Sequence, residues 1–384
     1  MAIITSLLDT DLYKLTQQQA VFHQYPNATV KYEFVCRNSD VKLGFLAKNI
    51  KNEISQWKDI LLMAQERTFL ERMAPFLKRD YLDYLEKFRF NPDYVTISDI
   101  DGQLKIEING PWVETILFEV PLLSTINELY FEKTTSFANL KEEAIGRLES
   151  KISLIKEYPK LIISEFGTRR RYSKEWQHFV FSELRKRTQV IGTSNVRLAS
   201  LCVANPIGTV AHEFFSAHLA LVDNIRQAQK RALHVWQQEY DNDLSIVLTD
   251  TFTTAAFFED FDKTLSNTYA GVRHDSGDPI KFGWAMLNHY SSKGIDARTK
   301  KIIFSDNLNV PKAIEIYKTF SGLIEVSFGI GTNLANDMGV DPLNIVIKLT
   351  KCNGKDVVKL SDNPGKHMGN PDVINKIKEA YNLR

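Results

Sequence analysis

Cysteine is scarce: Cys36, Cys202 and Cys352 are the only three in 384 residues, an odd number with no C-x-x-C pair, so neither a disulfide framework nor a zinc knuckle is indicated. A reducing compartment suits such a chain. No window approaches the roughly 20 apolar residues of a spanning helix, and the first 11 residues carry neither the basic start nor the apolar run of a signal peptide. A soluble, cytoplasmic protein with no membrane partner is expected. Charge of one sign is also lacking. Lys plus Arg is 48, Asp plus Glu is 47 and the formal net charge is +1, so the basic excess that marks a nucleic-acid partner is absent. There is no G-x-x-x-x-G-K-[ST], no G-x-G-x-x-G after the first strand and no G-x-S-x-G elbow, which disfavours a P-loop ATPase, a Rossmann dehydrogenase and an α/β-hydrolase. His212 and His218 lie six residues apart, about 240° round a helix, and so do not form the one-face pair of the H-E-x-x-H zinc proteases.

The composition that remains, 43% hydrophobic, 25% charged and 11% aromatic, is that of an ordinary globular protein, and the length allows two or three domains. Residues 28–38 alternate like a strand, and a helical stretch is expected over about 49–90. YVTISDIDGQLKIEI follows, with Asp101-Gly102 as a hairpin turn. A charged helix over about 135–157 leads into LIISEFG, QVIGTSN, ANPIGTVAHE, SIVLTDTF, GVRHDSGD, KIIFSDN and IEVSFGIGTN. Each run begins apolar and ends polar or glycine-rich, the texture of parallel strands whose polar ends collect on one face to build a site. NIVIKLTKCNGKDVVKL reads as a hairpin turning at Asn353-Gly354. It matches the first third in texture, so residues 341–384 are expected to return to an N-terminal α+β domain of residues 1–130, around a barrel domain of residues 131–340.

The chemistry-bearing residues cluster at those strand ends. In SFGIGTN, Gly329, Gly331 and Thr332 suit an anion nest in the place where late-strand phosphate sites of barrels fall; a ligand-free glycine turn is the plainer reading. EFGTRRRYS sets Phe166, a candidate to stack on a flat ring, beside three arginines beginning at Arg169. Guanidinium forks pair with carboxylates and phosphates, although a solvated basic run would look the same. GTVAHEF puts Thr209 and His212 before a helix reaching about residue 240, and a lone histidine is more often structural than catalytic. GVRHDSGDP combines Arg273 with Asp275 and Asp278, either a phosphate-and-ribose grip or an ordinary turn. LTDTFTT and FSDN could be helix caps and nothing more.

In order and over nearly the whole chain, LLDTDLYKLTQQQAVF, EFGTRRRYS, GTSNVRLA, GTVAHEF, GVRHDSGDP, FSDN and SFGIGTN resemble the nicotinate phosphoribosyltransferase family of type II phosphoribosyltransferases. The resemblance implies an α/β fold, an incompletely closed α/β barrel with a flanking α+β domain built from both chain ends. It implies that nicotinate, 5-phosphoribosyl 1-pyrophosphate and ATP give nicotinate mononucleotide, pyrophosphate, ADP and phosphate in NAD salvage. Mg2+ would accompany the pyrophosphate and ATP, its protein ligands unassigned, and the expected assembly is a homodimer in which Tyr13 covers the neighbour's pyridine ring. By the same resemblance, Phe166 stacks on the ring, Arg169 and Arg273 lie near the nicotinate carboxylate and the pyrophosphate, and Thr209 contacts nicotinate. His212 matches the histidine phosphorylated by ATP. Asp275, Ser305 and Asp306 are similar to ribose-side contacts, and Gly329, Gly331 and Thr332 to a 5′-phosphate cradle.

The nearest rival is the nicotinamide enzyme, expected to carry an aspartate where this chain has Ser194. A carboxylate there would repel nicotinate, so serine favours the acid. A quinolinate enzyme should have a denser basic pocket and be shorter, and a phosphosugar aldolase wants a strand-end lysine. A non-catalytic nucleotide-binding protein predicts ligand binding without turnover.

Overall fold

The computed structural model describes residues 2–363 and 369–383. Twelve strands occur among them: β1 (Thr29–Cys36), β2 (Val95–Ile100), β3 (Gln103–Pro111), β4 (Ile163–Glu165), β5 (Val190–Thr193), β6 (Asn205–Pro206), β7 (Ile246–Leu248), β8 (Gly271–His274), β9 (Lys301–Phe304), β10 (Glu325–Ile330), β11 (Ile345–Cys352) and β12 (Lys355–Asp356). The expected fold class holds. One sheet is antiparallel, in the order β12-β11-β1-β3-β2; the other is a curled parallel sheet in the order β6-β5-β4-β10-β9-β8-β7, whose two ends do not pair. Each of the seven apolar runs supplies one strand of the parallel sheet.

Both hairpin turns follow from their sequences. Asp101 and Gly102 have φ of 52° and 83°, Asn353 and Gly354 of 48° and 75°. Two successive left-handed residues are what a two-residue hairpin with the native strand twist requires, and Asp-Gly and Asn-Gly adopt them most readily. The long helix lies at Phe137–Lys156, as the charge pattern predicts. The helical stretch expected over about 49–90 consists of Ala47–Gln56, Ala64–Met73 and Arg79–Lys87. Glu66 starts the second by accepting from the Met63 amide at 3.0 Å, and Pro75, with no amide to give, lies in the gap after it. The helix expected to run from His212 to residue 240 is likewise two, His212–Leu221 and Ala228–Tyr240. Between them Asn224 caps a turn by accepting from the Arg226 amide at 2.9 Å.

The chain forms two compact units. Unit 1 comprises residues 1–27, 31–208 and 330–348, and unit 2 residues 28–30, 209–329 and 349–384. Unit 1 is fastened internally by Arg171, which is 1% exposed. Its guanidinium donates to both Asp9 oxygens at 2.6 and 2.9 Å and to Glu128 Oε1 at 2.7 Å. A buried guanidinium is stable only when its donors are met this way. Among the described residues no helix is long and apolar enough to cross a membrane.

Candidate active site

In unit 2 the register of three parallel strands decides which side chains meet. β8 pairs with β9 so that His274 lies opposite Phe304, and β7 with β8 so that Leu248 lies opposite Arg273. The residues just past these pairs therefore emerge together. The Ser305 amide donates to the His274 carbonyl at 3.0 Å, and the Ser305 hydroxyl reaches Asp275 Oδ1 at 2.6 Å. Arg273 projects from β8 and spends three donors in three directions: Nε to Ser305 Oγ at 2.7 Å, Nη1 to Thr209 Oγ1 at 3.0 Å and Nη2 to Asp275 Oδ1 at 2.8 Å. Four residues picked out in the sequence are thus joined through one guanidinium fork.

His212 is the first residue of the helix His212–Leu221. Its Nε2 lies 2.8 Å from Asp250 Oδ1 and 3.8 Å from Asp275 Oδ2. The other Asp250 oxygen accepts from Ser276 Oγ at 2.6 Å and lies 3.6 Å from Lys359 Nζ. Burial lowers the affinity of His212 for a proton, and the Lys359 cation lowers it further, against the two carboxylates that would raise it. Burial also pushes the Asp250 and Asp275 carboxyls up, but their partners overrule it: the Lys359 ammonium, with hydrogen bonds from His212 and Ser276, holds Asp250 well below the usual carboxylate range, and the Arg273 guanidinium holds Asp275 at about 2. The centre therefore presents two carboxylates and an uncharged imidazole near neutrality.

In unit 1 the remaining side chains form a second network. Asp11 bridges to Asn195, the Leu12 amide donates to the Ser194 carbonyl at 2.8 Å, and Ser194 Oγ donates to Asp11 Oδ1 at 2.7 Å. Glu165, wholly buried, accepts from Thr193 Oγ1 at 2.5 Å, the Gly167 amide at 2.6 Å and Gln177 Nε2 at 3.0 Å. It holds the turn on which Phe166 stands half-buried; burial pushes its carboxyl up to about 7 in spite of those donors. Tyr13 and Arg169 are linked through Lys14 and Glu119. Glu119 pairs with Lys14 at 2.5 Å and with Arg169 at 3.3 Å, and the Lys14 ammonium lies 5.5 Å from the Tyr13 ring centroid.

The three arginines of EFGTRRRYS divide their labour. Arg169 keeps a side chain 40% exposed, Arg170 donates to Asn344 Oδ1 at 2.9 Å and the Ile345 carbonyl at 3.3 Å, and Arg171 is the buried fastener. Gly329 lies inside β10, Gly331 follows that strand and Thr332 opens the short helix Thr332–Ala335. A Cβ on Gly331 would stand 2.9 Å from the Phe166 carbonyl oxygen, so the glycine permits a close backbone approach. Gly331→Ala is expected to destabilise the protein by about 1–3 kcal/mol, the usual range for overpacking, and to displace Phe166. Denaturant unfolding checks the first, and an unchanged midpoint would show that the two segments part freely. Asp306 is half-buried beside Ser305.

Several members of these networks had no distinct signal in the sequence. In LTDTFTT the capping is done by Thr253, which accepts from the Ala256 amide at 3.3 Å, leaving Asp250 for His212. In GVRHDSGDP it is Asp278 that caps, accepting from the Ile280 and Lys281 amides at 2.8 and 3.0 Å, while Asp275 faces Arg273. A strand-end position could have suggested Asp250; nothing local could have suggested Lys359, Glu119 or Asp11.

Residues 161–384 match the nicotinate phosphoribosyltransferase (NAPRTase) family, and residues 8–127 the N-terminal domain of that family. Similar proteins include the nicotinate phosphoribosyltransferase of Cupriavidus necator, 43% identical over 100% of this chain and 99% of that protein. That of Yersinia enterocolitica is 44% identical over 99% and 96%. The crystal structure of nicotinate phosphoribosyltransferase from Porphyromonas gingivalis superposes with a TM-score of 0.93 at 39% identity, covering 99% of this chain and 100% of that one. The one from Vibrio cholerae gives 0.94 at 37%, covering 100% and 94%.

Proposed function

The chain belongs to the nicotinate phosphoribosyltransferase family, and from that membership and the Arg273 network we propose that it joins nicotinate to 5-phosphoribosyl 1-pyrophosphate, giving nicotinate mononucleotide and pyrophosphate for NAD synthesis, coupled to ATP hydrolysis. The observation that carries the reading is the convergence of Thr209, Arg273, Asp275 and Ser305 on one guanidinium. The pyridine nitrogen is already a free nucleophile near pH 7. It forms the new bond to the ribose anomeric carbon as that carbon's bond to the pyrophosphate oxygen breaks, and the electron pair leaves with pyrophosphate. No general base is needed, so catalysis falls to orientation and to stabilising the leaving charge.

In this reading Phe166 stacks on the ring, Arg169 and Thr209 engage nicotinate, and Arg273 meets pyrophosphate charge. Asp275 favours positive character at the ribose, with Ser305 and Asp306 on the hydroxyls; Gly329, Gly331 and Thr332 take the 5′-phosphate. Mg2+ would accompany pyrophosphate and ATP and supply neutralisation of their charge, its protein ligands unassigned. His212 is the phosphoryl acceptor. With Nε2–H donating to Asp250, the lone pair for attack is on Nδ1. That nitrogen bonds the γ-phosphorus as the bond to the bridging oxygen breaks and ADP departs; water later cleaves the N–P bond and releases phosphate. A helix N-terminus favours the added negative charge.

The rest of the proposal is a cytoplasmic homodimer, with Tyr13 covering the partner's ring. Three free cysteines support the compartment. Domains of residues 1–130, 131–340 and 341–384 are supported by the antiparallel sheet, in which β11 neighbours β1 and β12 neighbours β11.

The test is nicotinate mononucleotide formation with magnesium, with and without ATP, and with nicotinamide in parallel. Nicotinate-selective turnover raised by ATP is expected. Turnover with nicotinamide would move the assignment to the sister enzyme, and none with either would leave a binding protein. Ser194→Asp should raise the nicotinate KM by about tenfold or more, because it sets a second carboxylate against Asp11 and against the substrate's own. An unchanged KM would remove Ser194 from acid recognition.

A further inference from the structure

Residues 359–362 follow β12, far in sequence from the strand ends of unit 2, yet are pinned to two of them. The Leu360 amide donates to the Thr251 carbonyl at 2.9 Å and the Asp362 amide to Ser276 Oγ at 3.1 Å. Asp362 in turn accepts from the Thr254 amide at 2.7 Å and from Thr254 Oγ1 at 2.5 Å. Between them Ser361 sits at φ 71°, a left-handed conformation that a serine holds only when its surroundings over-determine it. Four hydrogen bonds on both sides of one strained residue fix the course of the segment, and its cationic side chain is Lys359. Its ammonium reaches the far oxygen of the carboxylate that holds His212, at 3.6 Å, with a side chain 22% exposed.

That placement answers a problem the centre would otherwise have. His212 is flanked by Asp250 at 2.8 Å and Asp275 at 3.8 Å, and two carboxylates favour imidazolium, which has no lone pair with which to attack phosphorus. Arg273 occupies Asp275. Ser276 is neutral, and Asp362 adds negative charge behind Asp250. Among the cations whose field acts on His212, Lys359 stands first, second only to burial in keeping the ring unprotonated.

We propose that Lys359 is a positioning residue of the phosphoryl step: its ammonium balances Asp250 so that His212 meets ATP as an uncharged nucleophile and, once phosphorylated, has a cation close by. This rests on the phosphohistidine reading above. It assigns to the C-terminal segment a part in ATP coupling, apart from any contact with nicotinate.

The experiment is single-turnover labelling of the full-length protein with γ-labelled ATP at saturating concentration, across pH 5 to 9, for the wild type and for Lys359→Met, Lys359→Gln, Lys359→Arg and His212→Ala. Removing the cation strengthens proton binding by His212, so the acid limb of the labelling rate should move up by about one pH unit in K359M and K359Q, and labelling on that limb should slow about tenfold. K359R should restore the limb. Loss of packing alone would scale the rate at every pH without moving the limb, so a limb unmoved in both neutral variants, with the wild type labelled at His212, overturns the role of Lys359 and leaves the phosphohistidine standing. A wild type that takes no label, or an H212A variant that takes as much, removes the phosphohistidine and this proposal with it.

Discussion

Replacing His212 by alanine is expected to abolish stimulation by ATP, bringing the ratio of nicotinate mononucleotide formation with and without ATP to about one, while a slow ATP-independent transfer persists. The side chain lost is the proposed acceptor; the bond-making atoms of the transfer itself, pyridine nitrogen and anomeric carbon, belong to the substrates. The surroundings tolerate the change. Alanine is the best helix former at the first position of His212–Leu221, and Asp250, deprived of the imidazole, still accepts from Ser276 at 2.6 Å and faces Lys359 at 3.6 Å. The loss of one buried partner should lower stability by about 1–3 kcal/mol, short of unfolding a chain of this size. Initial rates in paired reactions, with circular dichroism as a check on folding, decide the matter. Full ATP stimulation of the variant would mean that energy coupling runs through another group.

The division between what the sequence discloses and what it hides follows from range. Strand runs such as KIIFSDN and hairpin turns such as Asn353-Gly354 are written in neighbouring residues, because a parallel strand needs a short apolar run and a tight turn needs two residues able to take positive φ. The helix breaks near Pro75 and Asn224 are also local, but they depend on a cap or a missing amide inside an otherwise helical stretch, which periodicity averages away. Site residues divide on the same line. Arg273 and Asp275 stand out because one motif holds both. Asp250 shares its motif with the capping Thr253, and composition alone does not say which of the two turns inward. Arg169, Arg170 and Arg171 are adjacent and chemically alike, and their fates are set by Glu119, Asn344 and Asp9, which come from three other parts of the chain. Lys359 is the extreme case: its partner is reached through a strained turn no local pattern announces.

Arg273→Ala should reduce kcat/KM for 5-phosphoribosyl 1-pyrophosphate by about 10²–10³, the range found when one preorganised donor to a developing negative charge is removed. Two effects add. The cation proposed to meet the pyrophosphate is gone, and Thr209, Asp275 and Ser305 lose the fork that fixes their spacing at 3.0, 2.8 and 2.7 Å. Asp275 also loses the strongest of the charges that overcome its burial and hold it at about 2. The sign is that of a depressed carboxyl: in the wild type the ionised form is favoured above the ordinary value of 3.8 and that advantage is lost only as pH falls through about 2. In the variant Asp275 should begin to take up protons at higher pH, so the residual activity should fall on the acid side where the wild type holds its rate. Arg273→Lys separates the two effects. It returns the charge but not the planar fork, since an ammonium cannot serve three acceptors lying in three directions along one plane; it should recover the acid-side profile and only part of the rate. Full recovery by lysine would leave Arg273 a simple counter-ion, and an unaltered rate in the alanine variant would return GVRHDSGDP to the status of an ordinary turn.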